Sequence, residues 1–380
     1  MESSDYQPRV KKLKTNKEED ELKVDEKEER KKKEKEVKQF VKLFDAVLQQ
    51  NIGNLSDEDI EEGVTDAIDF FRKGISSACD KEKLNTPNIL LGFFHRYSPL
   101  YAGKTRRMIV DALLGCEKLR SCFHRPSLKM VDVGCGTSSA LVGLYSALYE
   151  EDFPFQSLEV TAMDYNKNWE NFFNNIVIKL REDNFGNASK LFKEKEIKCS
   201  FVCFDMLKTN GCKKEKCLNE ADIIFMKGVV SILREDYYRD KIIKNVASAM
   251  KPGALLLFID SPSYYQYSGK KEYHLSLVFY TKTIDPTDSE DPTDSEDPTD
   301  VTSADCQPPL NCNLTTQNSI LDSKDTTSQS PQRESQKRNP VFKSKLDKEN
   351  RFNFSTSGVK EYGPGFAPYS NQEIYIFIKE

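Results

Sequence analysis

Between residues 128 and 260 the sequence alternates short apolar segments with longer amphipathic segments. The apolar segments have the length of strands, and the segments between them have the length and periodicity of helices. This alternation predicts right-handed βαβ crossovers and a parallel sheet that is buried on both faces. The five predicted strands are LKMVDV (128–133), LEVTAMD (158–164), KCSFVCFD (198–205), ADIIFM (221–226) and ALLLFID (254–260).

Three helices and two more strands complete the predicted domain. The helices are expected over Ser139–Tyr149, about Trp169–Lys190 and about Glu235–Met250. HLSLVFYTKT (274–283) and EIYIFIKE (373–380) look like two further strands that close the sheet as an antiparallel pair. The predicted fold class is therefore α/β, with a Rossmann-like seven-stranded sheet.

The residues before this domain predict a helical N-terminal extension, a cap over residues 39–120. In VKQFVKLFDAVLQQ the apolar side chains form one stripe along a helix. A second helix is expected to start at Ser56, with Asp59 as its partner in a capping box. Two further helices are predicted, from Pro87 to Tyr97 and from Pro99 to Cys116, because proline is favoured in a starting position.

Two segments are too polar to form a core. Residues 1–38 mix lysine and glutamate and predict a disordered or solvated charged helix. Residues 284–350 include the acidic repeat DPTDSEDPTDSEDPTD and predict a disordered acidic and polar insertion. The α/β domain is accordingly expected to consist of residues 121–283 and 351–380.

The composition predicts an intracellular, soluble protein. No apolar run approaches the roughly 20 residues that span a bilayer, and the N-terminal residues lack the apolar segment of a secretory signal. Ten cysteines without a compact framework fit a reducing compartment. Cys212 and Cys217, with Cys199 and Cys203 upstream, match no common zinc spacing, so no structural metal is predicted.

The basic cluster RVKKLK (9–14) has two readings, a nuclear import signal and a solvated charge run. The first predicts a protein of the nucleus or nucleolus, and the second a protein of the cytoplasm. The charged N-terminus is also a candidate contact for a protein partner, whereas no membrane contact is predicted.

The stretch VDVGCGTSSA (131–140) follows a predicted strand and opens a predicted helix, as a nucleotide-binding turn does. Gly134 and Gly136 let the backbone turn tightly and approach a ligand. A P-loop is excluded because no Gly-Lys-Ser/Thr follows, and the third glycine of a dinucleotide fingerprint would fall at Ser139. Asp132 would repel a pyrophosphate but attract a cation. The turn therefore favours S-adenosylmethionine, which carries a sulfonium and an ammonium and no phosphate.

Residues 128–260 resemble the class I S-adenosylmethionine-dependent methyltransferases. In that family the first strand and turn read roughly acid-x-Gly-x-Gly-x-Gly, which Asp132, Gly134 and Gly136 match. Ser138 replaces the last glycine. The resemblance implies that this turn lies along the methionine end of the cofactor.

The same resemblance implies roles for acids after the second and third strands. Asp164 would hold both ribose hydroxyls, since two acceptor oxygens can face two vicinal hydroxyls. Asp205 would accept from the adenine amino group, with Met206 as an apolar wall. Lys227, just past the fourth strand, has two interpretations, a contact with the cofactor or substrate and a solvent-facing lysine. The predicted cofactor site comprises Asp132, Gly134, Cys135, Gly136, Asp164, Tyr165, Asp205, Met206 and Lys227.

The acceptor of the methyl group is less constrained. No Asp/Asn-Pro-Pro-Tyr follows the fourth strand, which argues against amino-directed nucleic-acid and glutamine methyltransferases. A basic cluster interleaved with tyrosine suits phosphates and bases. Its members are Arg96, Tyr97, Tyr101, Lys104, Arg106 and Arg107, of which the last four are the candidate substrate contacts. Three segments also resemble the fungal-type ribosomal RNA uridine-N3 methyltransferases, namely LLGFFHRYSPLYAG, DYNKNW and KPGALLLFIDSP. This second resemblance favours RNA as the substrate.

Three alternatives stay open at the level of sequence. The chain could methylate a protein, methylate a small molecule, or serve as a non-catalytic interaction module with a methyltransferase fold. Retention of three cofactor acids counts against the module, since buried charges without a ligand are costly. The sequence names no general base.

Overall fold

A mixed sheet of seven strands is the centre of the structure, a computed structural model that describes residues 35–36, 38–73, 82–182, 184–208, 215–268, 271–282 and 372–380. The strands are β1 (Ser127–Val133), β2 (Ser157–Asp164), β3 (Glu196–Cys203), β4 (Ile223–Lys227), β5 (Leu255–Asp260), β6 (Leu275–Lys282) and β7 (Glu373–Lys379). Their order is β3-β2-β1-β4-β5-β7-β6. β1 to β5 are parallel, and β7 pairs antiparallel with both β5 and β6. The predicted α/β class and the antiparallel closing pair are confirmed.

Helices cover both faces of this sheet. They are α1 (38–51), α2 (Asp57–Lys73), α3 (Pro87–Gly115), α4 (Glu117–Phe123), α5 (Ser139–Glu150), α6 (Trp169–Glu182), α7 (Gly186–Glu194), α8 (Lys216–Glu220), α9 (Asp236–Ala249) and α10 (Tyr265–Ser268). The capping box predicted at the start of α2 is confirmed. The Ser56 amide donates to Asp59 Oδ2 at 2.8 Å, and the Asp59 amide donates to Ser56 Oγ at 3.2 Å.

Successive side chains of the strands enter two separate cores, because strand side chains alternate between the faces. Met130 of β1 belongs to the core that contains α1, α3, α5 and α6. Val131 and Val133 belong to the core under α9. The N-terminal helices thus share the first core with the sheet, and Phe40 of α1 is 1% exposed within it.

The two helices predicted on either side of residue 98 are one continuous helix, so that prediction is wrong. α3 runs from Pro87 to Gly115 with Pro99 inside it. An interior proline costs about 3 kcal/mol through a lost hydrogen bond and a steric clash. Both neighbours of Pro99 are buried, Ser98 at 0% and Leu100 at 4% exposure. Burial along the whole helix outweighs the cost of the proline.

The single helix predicted over Trp169–Lys190 is instead two helices. α6 ends at Glu182, and α7 begins at Gly186, whose φ of +72° is left-handed and interrupts a helix. A Cβ at Gly186 would lie 2.6 Å from a carboxylate oxygen of Glu36, so glycine also allows this close approach.

Glu36 is buried, which contradicts the prediction of a solvated segment up to residue 38. Its carboxylate accepts from Ser146 Oγ at 2.6 Å and from the Asn187 amide at 3.1 Å. Asn187 lies in the first turn of α7, where free amides and the helix dipole favour an acid. Burial raises the pKa of Glu36 above its ordinary value. The capping of α7 is a tertiary contact that local composition does not reveal.

Several predictions fall outside the described residues. These are the basic cluster 9–14, most of the charged segment 1–38, the acidic insertion 284–350 and Cys212. All described residues belong to one compact unit. Within the described ranges, no helix is long and apolar enough to cross a membrane, and no cluster of acids, cysteines or histidines could hold a metal ion.

The crossing of α3 and α5 depends on the missing side chain of Gly143. A Cβ there would overlap the Ala102 carbonyl oxygen and lie 2.9 Å from the Arg106 amide nitrogen. We expect Gly143→Ala to lower the free energy of unfolding by about 1–3 kcal/mol, because backbone atoms must move apart. Chemical denaturation would measure the loss.

Leu114→Ala is the matched control on the same helix pair. Leu114 is 63% exposed on α3, so its truncation should change stability by less than about 0.5 kcal/mol. Equal stability of Gly143→Ala and the wild type would contradict the close packing described.

Candidate cofactor site

The glycine turn after β1 is held against β2 by backbone hydrogen bonds. The Gly134 and Cys135 amides both donate to the Met163 carbonyl oxygen, at 2.7 and 3.0 Å. Gly134 has φ +70°, and a Cβ on it would lie 2.7 Å from Cγ2 of Val229. Only glycine fits both the left-handed backbone and this close approach.

Ser138 occupies the position where the resembled family has its last glycine. Its φ is +57°, in the left-handed region, at the N-terminus of α5. A left-handed conformation costs a residue with a side chain roughly 1–2 kcal/mol. The backbone of this turn therefore keeps the shape that glycine favours even though a serine stands there.

Asp164, at the end of β2, ties its strand to the turn. Its Oδ2 accepts from the Gly136 amide and its Oδ1 from the Asn166 amide, both at 2.9 Å. Burial raises the pKa of Asp164 to about 6, although the backbone amides oppose the rise. Each oxygen retains a second lone pair, which suits two vicinal hydroxyls.

Asp205 and Met206 follow β3 in a loop that α9 holds in place. Asp205 Oδ1 accepts from the Leu207 amide at 3.0 Å. The Asn245 side chain on α9 donates to the Met206 carbonyl oxygen at 2.6 Å. The Met206 side chain is 5% exposed, as expected of an apolar wall.

Asp132 is the most perturbed acid of the site. It is 1% exposed, and its Oδ2 has no hydrogen-bond partner among the described residues. Burial, reinforced by the charge of Asp164, raises the pKa of Asp132 to about 8, while Lys227 opposes the rise. A buried oxygen without a donor is costly and is satisfied by a ligand that brings a positive group. The ammonium of S-adenosylmethionine has the charge and the donors that this oxygen requires.

Lys227 lies inside the site, so the alternative of a solvent-facing lysine is wrong. Its Nζ is 3.6 Å from the centre of the Tyr101 ring of α3. Burial and, to a smaller extent, the nearby Lys104 together lower the pKa of Lys227 to about 7, against the attraction of Asp260 and Asp132. The packing of α3 over the end of β4 determines this position.

One cavity of about 780 Å³ connects these groups. All nine residues of the predicted cofactor site line it, and so does Tyr101. Open α/β sheets bind ligands at this edge, beyond the carboxyl ends of the strands. Burial raises the pKa of Cys135 well above its ordinary value, so this side chain is a neutral wall rather than a nucleophile.

Asp260 at the end of β5 also lines the cavity and is missing from the sequence-based site. Its Oδ2 accepts from the amides of Val230 and Ser231 at 3.1 and 3.2 Å, and its Oδ1 accepts from the Ser261 amide at 2.8 Å. These bonds order the loop after β4. The signal was present, since LLLFID ends an apolar strand in an acid as LEVTAMD does.

The residues of the basic cluster on α3 differ in burial, and Arg96 is only 1% exposed. Lys104 is half-buried and close enough to Lys227 to lower its pKa. Arg107 is exposed. None of Lys104, Arg106 and Arg107 lines the cavity. Arg106 also pairs with Glu150 of α5, and this pairing argues against its predicted substrate role.

A family model described as "Putative SAM-dependent methyltransferase" matches residues 82–290, more than half of the 380-residue chain. The chain therefore belongs to this family of S-adenosylmethionine-dependent methyltransferases. The cofactor of this family is S-adenosylmethionine, the same cationic cofactor that an acid at Asp132 favours. The comparison with curated proteins finds no match.

Solved structures show partial similarity. The [4+2]-cyclase SpnF is 14% identical with a TM-score of 0.32, and the match covers 49% of this chain and 62% of the cyclase. A methyltransferase from Methanosarcina mazei is 13% identical with a TM-score of 0.31, covering 43% of this chain and 87% of its own. The N-methyltransferase NodS of Bradyrhizobium japonicum, solved with S-adenosyl-L-homocysteine, is 14% identical with a TM-score of 0.28, covering 48% and 79%. The family assignment rests on the family model and not on these matches.

The raised pKa of Asp132 predicts a stability difference that depends on pH. In the folded protein the carboxyl stays protonated up to about pH 8, whereas in the unfolded chain it ionises near pH 4. Its contribution to stability is therefore complete below pH 4 and is lost as pH rises through 8. Asp132→Asn keeps the neutral form at every pH. Without cofactor, its stability relative to wild type should rise between pH 5 and pH 8, by at most about 1.4 kcal/mol per pH unit.

Urea denaturation of both proteins at several pH values measures this difference. Asp132→Asn should also bind S-adenosylmethionine more weakly, because the anion that faces the cofactor is lost. Parallel stability curves for the two proteins would show that Asp132 is already ionised in the fold.

Proposed function

We propose that the protein transfers a methyl group from S-adenosylmethionine to RNA, with ribosomal RNA as the favoured substrate. The observation that carries the proposal is one face of α3, which runs from stacked tyrosines beside the cavity to basic side chains outside it. The Tyr97 and Tyr101 rings stack with centroids 5.4 Å apart and an interplanar angle of 24°. Lys104 and Arg107 follow at helical spacing on the same helix.

This arrangement suits a nucleotide. Aromatic rings stack on bases of any sequence, and lysine and arginine neutralise phosphates. A base that enters the cavity past Tyr101 would leave its phosphates near Lys104 and Arg107. The resemblance of LLGFFHRYSPLYAG, which lies on α3, to the ribosomal RNA uridine-N3 methyltransferases supports the same substrate.

The order of the strands separates cofactor and acceptor. Asp205, Asp164 and Asp132 lie at the carboxyl ends of β3, β2 and β1, which are neighbours in the sheet. The adenosine would lie over β3 and β2 and the methionine end over β1. β4 and β5 lie on the other side of β1, together with Lys227 and Asp260, so the acceptor would enter there.

The cofactor, when bound, supplies an activated methyl group on a sulfonium. The residues of the chain bind it, exclude water and place the acceptor in line with the methyl. Asp164 would hold the ribose, and Asp132 the methionine ammonium. Their positions are fixed before binding, since backbone amides orient Asp164 and packing buries Asp132.

A small-molecule acceptor is the second candidate, favoured by an apolar wall of the cavity. Phe93 and Trp169 line it with ring centroids 5.8 Å apart, and Leu84 and Leu90 lie beside them. An apolar acceptor could pack there. Methylation of a protein, and a non-catalytic interaction module, are further outcomes of the experiment below.

The location and the partners are also proposals. A ribosomal RNA substrate fits a nuclear or nucleolar protein, for which the sequence RVKKLK (9–14) is the support. The charged N-terminal residues are the proposed contact for a protein partner. The domain limits 121–283 with 351–380, the cap 39–120 and the insertion 284–350 also remain proposals.

Transfer of a labelled methyl group into a cell extract tests the substrate class. The wild-type protein should label material that ribonuclease removes and protease leaves intact. Asp164→Ala should abolish both the labelling and the thermal stabilisation by S-adenosylmethionine, because its carboxylate holds the ribose. Glu159→Ala, an exposed acid of β2, is the matched control and should retain both.

Label that survives ribonuclease would contradict the RNA proposal. Label removed by protease would indicate a protein acceptor, and label in the low-molecular-weight fraction a small molecule. Thermal stabilisation without any labelling would favour the interaction module.

A further inference from the structure

Lys227 is the basic side chain closest to where the acceptor is expected. It ends β4, on the side of β1 away from the acids of β2 and β3, and it lines the cavity. Its Nζ lies against the face of Tyr101, the ring proposed to contact the incoming base. The amine therefore stands between the proposed cofactor end and the proposed acceptor end of one cavity.

The groups that surround Lys227 come from three elements. Asp132 of β1 and Asp260 of β5 attract its charge, Lys104 of α3 repels it, and Tyr101 of α3 covers it. Burial outweighs the two acids and lowers the pKa of Lys227 to about 7. Near neutral pH a large fraction of the side chain is thus an uncharged amine. A cofactor with a fixed positive charge would lower this pKa further.

We propose that Lys227 is the general base that removes the proton from the methyl acceptor. The proposal rests on the methyl-transfer function above and adds the residue that serves the acceptor. The lone pair of the neutral amine takes the acceptor's proton, and the acceptor's electron pair forms the new bond to the methyl carbon. The bond between sulfur and methyl breaks with its electrons left on sulfur. The ammonium of Lys227 returns its proton to water after the products leave.

The two acids that attract the charge of Lys227 are less suited to this role. Asp260 already accepts three backbone amides, which hold its carboxylate in the loop after β4. Asp132 faces the expected cations of the cofactor. After the transfer, the Tyr101 ring can stabilise the new ammonium by a cation–π contact, worth roughly 0.5–2 kcal/mol.

The pH dependence of methyl transfer gives the first test, with the extract fraction that takes up label as the acceptor. With saturating S-adenosylmethionine, the wild-type rate should rise about tenfold per pH unit at acid pH and level off below pH 7, because the bound cofactor lowers the pKa of Lys227. Lys227→Met should lower the rate at pH 7 by about 100-fold, the usual size of a general-base effect. Its deficit should shrink at high pH, where the acceptor loses its proton to hydroxide. Lys227→Arg should be equally slow, because a guanidinium cannot accept a proton.

Lys198→Met is the matched control, since Lys198 is an exposed lysine of β3 that pairs with Glu196. It should keep the wild-type rate and pH profile. Affinity for S-adenosylmethionine should be unchanged or higher in Lys227→Met, because the change removes a cation near a cationic ligand. A weakened affinity with a wild-type pH profile would show that Lys227 only positions the cofactor and would overturn the proposal.

A second readout does not depend on activity or on the acceptor. The ¹³Cε and ¹⁵Nζ signals of lysines report the charge of each amine, and the Tyr101 ring should shift the Lys227 signal away from the others. The signal should titrate near pH 7 in the wild type and at lower pH with S-adenosylmethionine bound. A Lys227 that stays charged above pH 9 with cofactor bound would overturn the proposal. Because this measurement needs no acceptor, it separates a failure of the base from a failure of the RNA assignment.

Discussion

The burial of carboxylates at one edge of the sheet is the constraint on which the site depends. Asp164 and Asp260 are the last residues of β2 and β5, Asp132 is the second-last residue of β1, and each is at most 6% exposed. Buried carboxylates are tolerated when donors surround them. Backbone amides serve Asp164 and Asp260, and those same bonds shape the glycine turn and the loop after β4. Asp132 Oδ2 accepts no hydrogen bond from the described residues, and burial raises the pKa of this carboxyl.

The missing hydrogen-bond donor at Asp132 explains why the cavity suits a cation. A ligand that brings positive charge relieves a cost already present in the fold, so its binding needs little rearrangement of the protein. Lys227 would oppose such a ligand if it were fully charged, but burial and Lys104 weaken its charge. One low-dielectric cavity thus produces both an acid that prefers a proton and an amine that readily gives one up.

The sequence predicted the features that depend on local pattern. Asp132, Asp164 and Asp205 could be found because each lies at the carboxyl end of an apolar strand. Asp260 has the same pattern and could have been found by that rule. The contacts of Lys227 could not be predicted from the sequence, because they depend on where Tyr101 of α3 lies relative to the end of β4. The pairing of Arg106 with Glu150, 44 residues away, and the burial of Glu36 are likewise tertiary. Pro99 shows the opposite error, a local rule that packing overrides.

The position of β7 has a consequence for how the sheet is assembled. β7 lies between β5 and β6, yet its first residue follows the last residue of β6 by about 90 positions in the chain. Neither β5 nor β6 can complete its pairing until β7 arrives, and contacts between residues so far apart in the chain slow folding. A chain that stops inside the insertion would leave β6 without its partner and the buried strand β5 with an open edge. Open apolar edges invite pairing with other chains. Such fragments should aggregate rather than persist as smaller enzymes.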